Sequence, residues 1–215
     1  MNMTADSVFS QRPERHVRRL WWYDRDRFAR HLLRLSPEDR YLRFGGHMGD
    51  ETLAEYARRS DWPRHVLLGA FIDGELRGVG ECRFLDGSWP PEAELAFSVE
   101  TPHQGQGLGT ELFRRLVIFA RNRGVRRVYV TTLRGNVAMR RIAGRFGMVM
   151  AQGEDELEGR MELLWPTGLS VAEEALNQGQ ALWSAGWVEA SPAYATPESA
   201  AVPEEDAESV IGWPG

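Results

Sequence analysis

The chain has 215 residues, of which 42% are hydrophobic and 27% charged, and its formal net charge is −5. This composition is typical of one soluble globular domain with a sizeable core, and it is too acidic to indicate a nucleic-acid-binding protein. The single cysteine, Cys82, excludes an internal disulfide and is typical of a reducing compartment, so we expect a cytoplasmic protein. No stretch approaches the roughly 18 apolar residues that span a bilayer, so we expect no membrane partner.

The charged residues are unevenly distributed along the chain. From Pro166 onward there are eight acidic residues and no basic ones, with many Pro, Ala and Ser residues. All 26 basic residues lie earlier, and all are arginines because the sequence contains no lysine. We therefore predict a folded domain over 1–165 and an acidic, Pro/Ala/Glu-rich extension over 166–215 that is partly disordered.

The extension contains two features that point to local order. Ser170 and Glu173 have the spacing of a capping box, which predicts the start of a helix. Trp183, Trp187 and Trp213 are candidates to dock the extension on the domain or on a partner, with a homodimer as one expected assembly, and the favoured alternative is an extension that is mostly mobile.

The first predicted helix occupies residues 24–35. Phe28, Leu32 and Leu35 fall on one helical face, behind Asp24 as a candidate N-terminal cap. The pattern therefore predicts an amphipathic helix that packs on a core.

Turn and cap signals place the next elements. Ser36 and Pro37 have the arrangement of an N-cap followed by the first helical residue, and residues 51–60 predict another short helix. Asp73-Gly74 lies between two apolar runs and predicts a tight turn between two antiparallel strands.

The rest of the domain alternates strands with helices. Together with the preceding helices and hairpin, this order predicts a mixed α/β fold built on one sheet. The predicted elements are a strand at 93–99, a glycine loop with a helix at 108–120 closed near Gly124, a strand at 125–133, a helix at 136–146 closed at Gly147, and a strand pair at 148–152 and 159–165.

The glycine loop has the composition of a phosphate site. In "TPHQGQGLGTEL", Gly105, Gly107 and Gly109 recur at every second position between a strand and a helix. Backbone N–H groups at a helix N-terminus bind phosphate, and glycines let a bulky anion approach them. An alternative is that these glycines only permit tight packing.

Two familiar phosphate loops do not fit this stretch. An ATP P-loop needs a lysine before its hydroxyl residue, but Thr110 follows Gly109. A dinucleotide fold needs the spacing G-x-G-x-x-G and an acidic residue about 20 positions later, and both are missing here.

The loop resembles a third type of phosphate site. Gln104-x-x-Gly107-x-Gly109, between a strand and an amphipathic helix, resembles the [RQ]-x-x-G-x-[GA] pyrophosphate loop of the GNAT acetyltransferases. The resemblance runs from the N-terminal strand to Leu164 and includes Asn136, Met139, Ile142, Phe146 and Gly147.

A second segment resembles a narrower group within that family. The stretch "RLSPEDRYLRFGG" at 34–46 is similar to a segment of the catalytic domains of bacterial protein-lysine acetyltransferases. The alternative is a plain helix with Leu42 and Phe44 partly buried.

The GNAT resemblance implies a fold and an acetyl-CoA site. The implied fold is a mostly antiparallel sheet that splays between its fourth and fifth strands, with flanking helices, and acyl-CoA enters the gap. Backbone groups of Phe97 and Val99 would pair with the pantetheine, the glycine loop would hold the pyrophosphate, and Arg140 or Arg141 would meet the ribose phosphate. The residues implied for acetyl-CoA binding are Phe97, Ser98, Val99, Gln104, Gly105, Gln106, Gly107, Leu108, Gly109, Thr110, Asn136, Met139 and Arg140.

The implied reaction is attack of an amine on a thioester, which requires a base. Glu94 alternates with Leu95 and Phe97 and matches a glutamate of the lysine-acetyltransferase group, although an exposed strand carboxylate is equally compatible with the pattern. Glu100 is the second candidate base.

The acid that protonates the departing thiolate is not identified by the pattern. Ala143 stands where many GNAT members have a tyrosine that acts as this acid, so another group such as Tyr129 protonates CoA or the thiolate leaves unaided.

The sequence gives no sign of other chemistry. Its five histidines lack metal-ligand spacing, and Cys82 lies mid-strand, where burial is the usual outcome. The leading hypothesis is an acetyl-CoA-dependent N-acetyltransferase that modifies a protein lysine. The alternatives are acetylation of a small amine and a non-catalytic acyl-CoA sensor.

Overall fold

The computed structural model describes residues 14–60, 65–153 and 156–190, and for 180–190 it describes the backbone alone. The elements in chain order are β1 (Arg15–Arg19), α1 (Arg25–Arg34), α2 (Pro37–Phe44), α3 (Asp50–Arg59), β2 (His65–Ile72), β3 (Glu75–Leu85), β4 (Glu92–Val99), α4 (Leu108–Asn122), β5 (Arg127–Leu133), α5 (Val137–Arg145), β6 (Val149–Gln152), β7 (Glu156–Glu162) and α6 (Gly168–Ala190).

The strands of the described chain form one mixed sheet in the order β1-β2-β3-β4-β5-β7-β6. Neighbouring strands are antiparallel except β4 and β5, which are parallel. A parallel pair needs a crossover connection, and the loop with α4 supplies it. The predicted mostly antiparallel α/β sheet with flanking helices is confirmed.

Helices cover β2, β3 and β4 on both faces of the sheet, and each face has its own apolar core. Strands β2, β3 and β4 lie between the two cores. Fully burying one large aliphatic or aromatic side chain contributes roughly 1.5–3 kcal/mol to the stability of the fold, so both cores hold the helices on the sheet. One core joins α1 and α3 to the sheet through Phe28, Leu32, Leu53, Ala57, Leu67 and Val79, and the other joins α4 to it through Leu108, Leu112, Phe113, Leu116, Cys82 and Leu95.

The turn and cap signals were accurate predictors. The Ser36 hydroxyl accepts a hydrogen bond from the Asp39 N–H at 3.1 Å, with Pro37 as the first residue of α2. Asp73 and Gly74 have φ of 50° and 79° in the β2–β3 turn, which is the left-handed backbone that Asp-Gly turns supply. These predictions are confirmed.

Two features near the N-terminus differ from the sequence prediction. Strand β1, which has an arginine at three of its five positions, had no periodicity that located it. Asp24 occupies the N-cap position of α1 but makes no cap bond. Instead its buried carboxylate accepts two hydrogen bonds from Arg18 at 2.7 Å, and the predicted capping role was wrong.

The C-terminal boundaries also differ. Strand β7 begins at Glu156 rather than 159, because its partner β5 extends the pairing to that point. Helix α6 begins at Gly168, so Ser170 is not its cap. The N–H groups of Thr167 and Ser170 instead donate to each other's side-chain oxygens at 3.0 and 3.1 Å, which closes the first turn.

Part of the predicted extension lies outside the described residues. Residues 191–215, including Trp213, are outside them, and so are the side chains of Trp183 and Trp187. The docking surface or dimer interface predicted for these tryptophans therefore lies outside the described residues. Within the described part of the chain, no helix combines the length and apolar character that a membrane crossing requires.

Candidate active site

The sheet opens between β4 and β5 toward the ends where both strands finish. Among the described residues the two strands are in register at only three positions, the last of which pairs Glu94 with Tyr129. Strand β4 continues to Val99 and β5 to Leu133, so the later parts of the strands diverge. The predicted splay between the fourth and fifth strands is confirmed.

The backbone of β4 faces this gap with alternate peptide groups. The Glu100 N–H donates to the Arg77 carbonyl at 3.0 Å, so the backbone N–H of Glu100 points toward β3 and away from the gap. Alternate residues of an antiparallel strand point to opposite sides, so the N–H and C=O groups of Phe97 and Val99 face the gap. That orientation suits a ligand that pairs with β4 as an extra strand.

The glycines of the loop after β4 have two separate roles. Gly105 and Gly107 have φ of 70° and 88°, which L side chains rarely adopt, and a Cβ on either would meet nothing within 4 Å. They shape the backbone and leave space above the first turn of α4. A Cβ on Gly109 would lie 3.0 Å from Cδ1 of Ile142, so this glycine permits close packing of α4 on α5.

A cleft of about 330 Å³ lies between this loop, β4, α2 and the start of α5. Two predicted cofactor residues, Gln106 and Arg140, do not line this cleft. The Gln106 side-chain oxygen accepts from Arg15 at 2.5 Å, and an Arg140 nitrogen lies 3.4 Å from the Arg134 carbonyl. The predicted cofactor residues in the lining are Phe97, Ser98, Val99, Gln104, Gly105, Gly107, Leu108, Gly109, Thr110, Asn136 and Met139.

Two arginines of α5 add positive charge to the cleft. Arg141 and Arg145 both line it. Their spacing of four residues places both on one helical face. Once Arg141 was a candidate, this spacing could have pointed to Arg145 as well. Sequence reasoning missed Arg145 because the rotation of α5 about its axis depends on packing against α4.

Comparison with known proteins agrees with this geometry. The acetyltransferase (GNAT) family matches residues 30–148, which is more than half of the chain. The chain belongs to the GNAT acetyltransferase family. It is therefore an acetyl-CoA-dependent acetyltransferase, which favours an enzyme over a non-catalytic sensor.

Several relatives of this GNAT enzyme have been named or solved. It is 32% identical over 148 residues to acetyltransferase PA5475 of Pseudomonas aeruginosa, covering 66% of this chain and 80% of that protein. It is 32% identical over 139 residues to acetyltransferase Pat of Mycolicibacterium smegmatis, covering 60% of this chain but only 41% of Pat. The GNAT domain of S. lividans PAT superposes with a TM-score of 0.59 at 25% identity, covering 68% of this chain and 89% of that domain.

Glu94 lies where the gap of the GNAT sheet opens. Its carboxylate accepts a hydrogen bond from Arg83 at 2.6 Å, and its side chain is 33% exposed. Tyr129 is its in-register neighbour on β5, and the Tyr129 hydroxyl lies 3.4 Å from an Arg127 nitrogen. In-register residues on adjacent strands present their side chains on the same face, so Glu94 and Tyr129 adjoin at the apex of the gap.

Glu100 is instead engaged in a buried network at the end of β4. Its carboxylate lies 3.2 Å from the His31 Nδ1 and 2.9 Å from nitrogens of both Arg34 and Arg77. Burial alone would raise the pKa of Glu100, but these hydrogen bonds outweigh it and lower the pKa to about 2. A carboxylate with so low a pKa is a weak base, and its contacts fix the end of β4 to α1.

The same network fixes the state of His31. The His31 ring is fully buried, and burial lowers its pKa, which favours the neutral form. Because the Glu100 carboxylate only accepts, His31 Nδ1 carries the proton and Nε2 accepts from the Ser98 hydroxyl at 2.9 Å. The three side chains therefore form one satisfied chain of hydrogen bonds.

A second buried network, which sequence reasoning missed, lies beneath α2. The Glu81 carboxylate accepts from Arg43 at 2.5 Å and from the Tyr56 hydroxyl at 2.7 Å. Burial would raise the pKa of Glu81, yet these two partners hold the pKa below its usual range. Burial and the adjacent Glu81 raise the pKa of Tyr56. Since Arg43 also lines the cleft, the network holds α2 against β3 beside this cleft.

Other predicted residues have clear positions. Asn136 is the N-cap of α5, and its side-chain oxygen accepts from the Met139 N–H at 2.9 Å. Ala143 is fully buried. Cys82 is buried in β3, and burial raises its pKa to about 12, so its thiolate is not populated at neutral pH. Within the described ranges, no group of three or more His, Cys, Asp or Glu side chains is arranged to hold a metal ion.

Proposed function

We propose that this acetyltransferase modifies lysine side chains of proteins, with Glu94 as the general base at the apex of the β4–β5 gap. The observation that carries the proposal is the position of Glu94 and Tyr129 as the last in-register pair before the strands diverge. A thioester in the gap would lie beside both side chains. The many contacts and low pKa of Glu100 favour Glu94 over Glu100 as the base.

The proposed binding mode of acetyl-CoA uses the length of the cleft. The pantetheine pairs with the gap-facing backbone groups of Phe97 and Val99, and the pyrophosphate lies on the N–H groups that begin α4. From Glu94 to Val99 the strand rises roughly 16 Å at about 3.3 Å per residue, which separates the reacting end from the phosphate end. Arg141 and Arg145 line the cleft and are better placed than Arg140 for the ribose phosphate.

The proposed reaction proceeds by direct transfer. Glu94 removes a proton from the lysine ammonium, through a water if the distance requires it, and the free amine attacks the thioester carbon. The C–S bond breaks as the C–N bond completes, and the CoA thiolate takes a proton from Tyr129. The attacking nitrogen gives up its second proton, directly or through water, to the Tyr129 phenolate, which restores the hydroxyl. No acyl-enzyme forms in this scheme.

A protein acceptor is supported by the segment at 34–46 and by the exposed sheet face beside Glu94. Thr131 on β5, Glu158 on β7 and Ala151 on β6 follow one another across that face, and all three are exposed. An uncovered face leaves room for a folded protein to bring a lysine to the gap. A small amine would need no such access.

The test combines one variant with two acceptor classes. Glu94→Gln should lower kcat by about 10²–10⁴-fold, the range for loss of a general base, while the affinity for acetyl-CoA stays nearly unchanged. Glu92→Gln is the matched control, since Glu92 lies on the same face of β4 and pairs with Arg127.

Acceptors would be screened with lysine-containing proteins and peptides against polyamines and amino sugars. Labelling of small amines alone would contradict the proposed acceptor class. Full activity of Glu94→Gln would contradict the proposed base.

A further inference from the structure

We propose that Asp39 is a positioning residue that holds the glycine loop in the shape that binds the pyrophosphate of acetyl-CoA. This inference rests on the proposed cofactor site. Asp39 lies in the first turn of α2, more than 60 residues before the loop in the chain, and its side chain lines the same cleft as the loop.

The Asp39 carboxylate joins α2 to the loop with both oxygens. Oδ1 accepts from the Gln104 side-chain amide at 2.7 Å, and Oδ2 accepts from the Thr101 hydroxyl at 2.6 Å. Oδ2 also accepts from the Ser36 hydroxyl at 2.8 Å. Hydrogen bonds to an ionised acceptor are stronger than neutral ones, so one carboxylate fixes two points of the segment between β4 and Gly105.

These contacts define what Gln104 contributes to the site. The Gln104 amide nitrogen has two hydrogens, and its two acceptors are Asp39 and the Val99 carbonyl, the latter at 2.9 Å. With both hydrogens in use, Gln104 has no donor left for a phosphate. Gln104 therefore connects the end of β4 to the start of the loop, and the backbone N–H groups that follow are the anion donors.

Further hydrogen bonds anchor α2, the helix that carries Asp39. Arg40 on α2 donates to the Leu33 and Leu35 carbonyls at 2.7 and 3.1 Å, which ties α2 to the end of α1. One turn later Arg43 is held by Glu81 of β3. A loop that is held in place before ligand arrives loses less conformational freedom on binding, which raises affinity.

A carboxylate beside a pyrophosphate site would otherwise oppose binding. If Asp39 were a bystander, its charge would repel the phosphates, and Asp39→Asn would tighten binding. If Asp39 holds the loop, Asp39→Asn loses one acceptor and weakens binding. The two roles therefore predict opposite signs for one substitution.

The experiment measures acetyl-CoA affinity of the full chain by calorimetry. Asp39→Ala should raise Kd by about tenfold or more, as loss of charge-assisted hydrogen bonds implies, and Asp39→Asn should raise it less. Glu38→Ala is the matched control, because it removes the same charge from the same turn, where Glu38 is exposed. Its Kd should stay equal to or slightly below that of the wild type.

A double-mutant cycle assigns the effect to the loop. In the Gln104→Ala background, Asp39→Ala should raise Kd for acetyl-CoA by a smaller factor than in the wild type, because the bond to Gln104 is already lost and only the bond to Thr101 remains to be removed. At saturating acetyl-CoA, kcat of Asp39→Ala should stay near the wild-type value while KM for acetyl-CoA rises. The unfolding midpoint without ligand should change little, which separates positioning from a general loss of fold.

The outcomes distinguish this inference from the cofactor assignment. Wild-type protein that fails to bind acetyl-CoA would overturn both. Wild-type protein that binds, with Asp39→Ala and Asp39→Asn binding equally well or more tightly, would overturn the positioning role alone.

Discussion

A Cβ on Gly109 of α4 would lie 3.0 Å from the Cδ1 of Ile142 on α5, so the two helices approach as closely as a glycine allows. Helix α4 begins under the loop and α5 carries Asn136, Arg141 and Arg145. Their contact therefore sets the distance between two walls of the cleft.

Gly109→Ala tests this spacing. The added methyl must displace Ile142, and overpacking of this kind lowers the free energy of unfolding by about 1–3 kcal/mol. Because α5 moves outward, Kd for acetyl-CoA should rise. Gly144→Ala is the control, since a Cβ at Gly144 of α5 meets nothing within 4 Å. Helix propensity predicts that this control gains about 0.5–1 kcal/mol. Chemical denaturation and calorimetry measure both quantities, and equal stability of the two variants would contradict the expectation.

Gly107→Ala tests the loop as the pyrophosphate site. Its φ of 88° makes an alanine strained, by about 1–2 kcal/mol for a left-handed residue, and the methyl enters the space above α4. Gly124→Ala suffers similar strain, with φ of 80°, at the other end of the same helix. We expect both to lose stability but only Gly107→Ala to lose acetyl-CoA affinity. A matching loss in both would show that strain alone explains the effect.

Tyr129→Phe tests the proposed acid. Loss of a positioned acid lowers kcat by about 10²–10⁴-fold, with KM for acetyl-CoA nearly unchanged. Tyr23→Phe removes an exposed hydroxyl outside the cleft lining and should be neutral. Steady-state kinetics with a saturating acceptor decides, and undiminished kcat in Tyr129→Phe would mean that the thiolate leaves unaided.

The network of His31 and Glu100 predicts loss of stability on acidification. The pKa of His31 is lowered from 6.5, so the unfolded chain binds more protons and stability falls as pH drops below about 6.5. The pKa of Glu100 is lowered from 4.5 to about 2, so its contribution is complete above about 4.5 and is lost toward pH 2. Urea unfolding between pH 8 and 5 should show that the free energy of unfolding falls as His31 begins to bind a proton in the unfolded chain. The Ser98→Ala variant should show the same fall. A flat profile would contradict the buried neutral histidine.

Truncation after Trp165 tests the domain boundary. Helix α6 contacts α4 through Glu174, which pairs with Arg123 at 2.8 Å, and through the Ser170 carbonyl, which accepts from Asn122 at 2.9 Å. Partly exposed polar contacts of this kind contribute about 0.2–1 kcal/mol each, so the truncated domain should unfold at slightly lower denaturant concentration. Its acetyl-CoA affinity should be unchanged, since none of the α6 side chains that the structure describes lines the cleft. Insoluble truncated protein would place α6 within the domain.

The sequence predicted those parts of the fold and site that depend on local chemistry. Ser36 and Asp73-Gly74 were identified because caps and tight turns depend on a few adjacent residues. The glycine loop from Gly105 to Gly109 was identified as a phosphate site because strand, loop and helix follow one another without a break. The roles of Phe97, Ser98 and Val99 were implied by the GNAT resemblance.

The missed features depend on contacts that span the chain. Asp39 meets Gln104 65 positions away, and Arg43 meets Glu81 38 positions away, so no local spacing indicates either pair. Asp24 looked like a helix cap because its partner Arg18 lies on β1, a strand that the sequence did not locate. Helix rotation, which selects Arg141 and Arg145 over Arg140, follows from packing rather than from periodicity.

The splay proposed to admit acetyl-CoA also gives the domain two internal strand edges. Among the described residues, β4 beyond Glu94 and β5 beyond Tyr129 have no pairing with each other. Exposed strand edges recruit other chains, and sheet proteins normally cover them. If the pantetheine pairs with β4 as proposed, it covers one of these edges, so we expect the enzyme without acetyl-CoA to self-associate more readily than its complex.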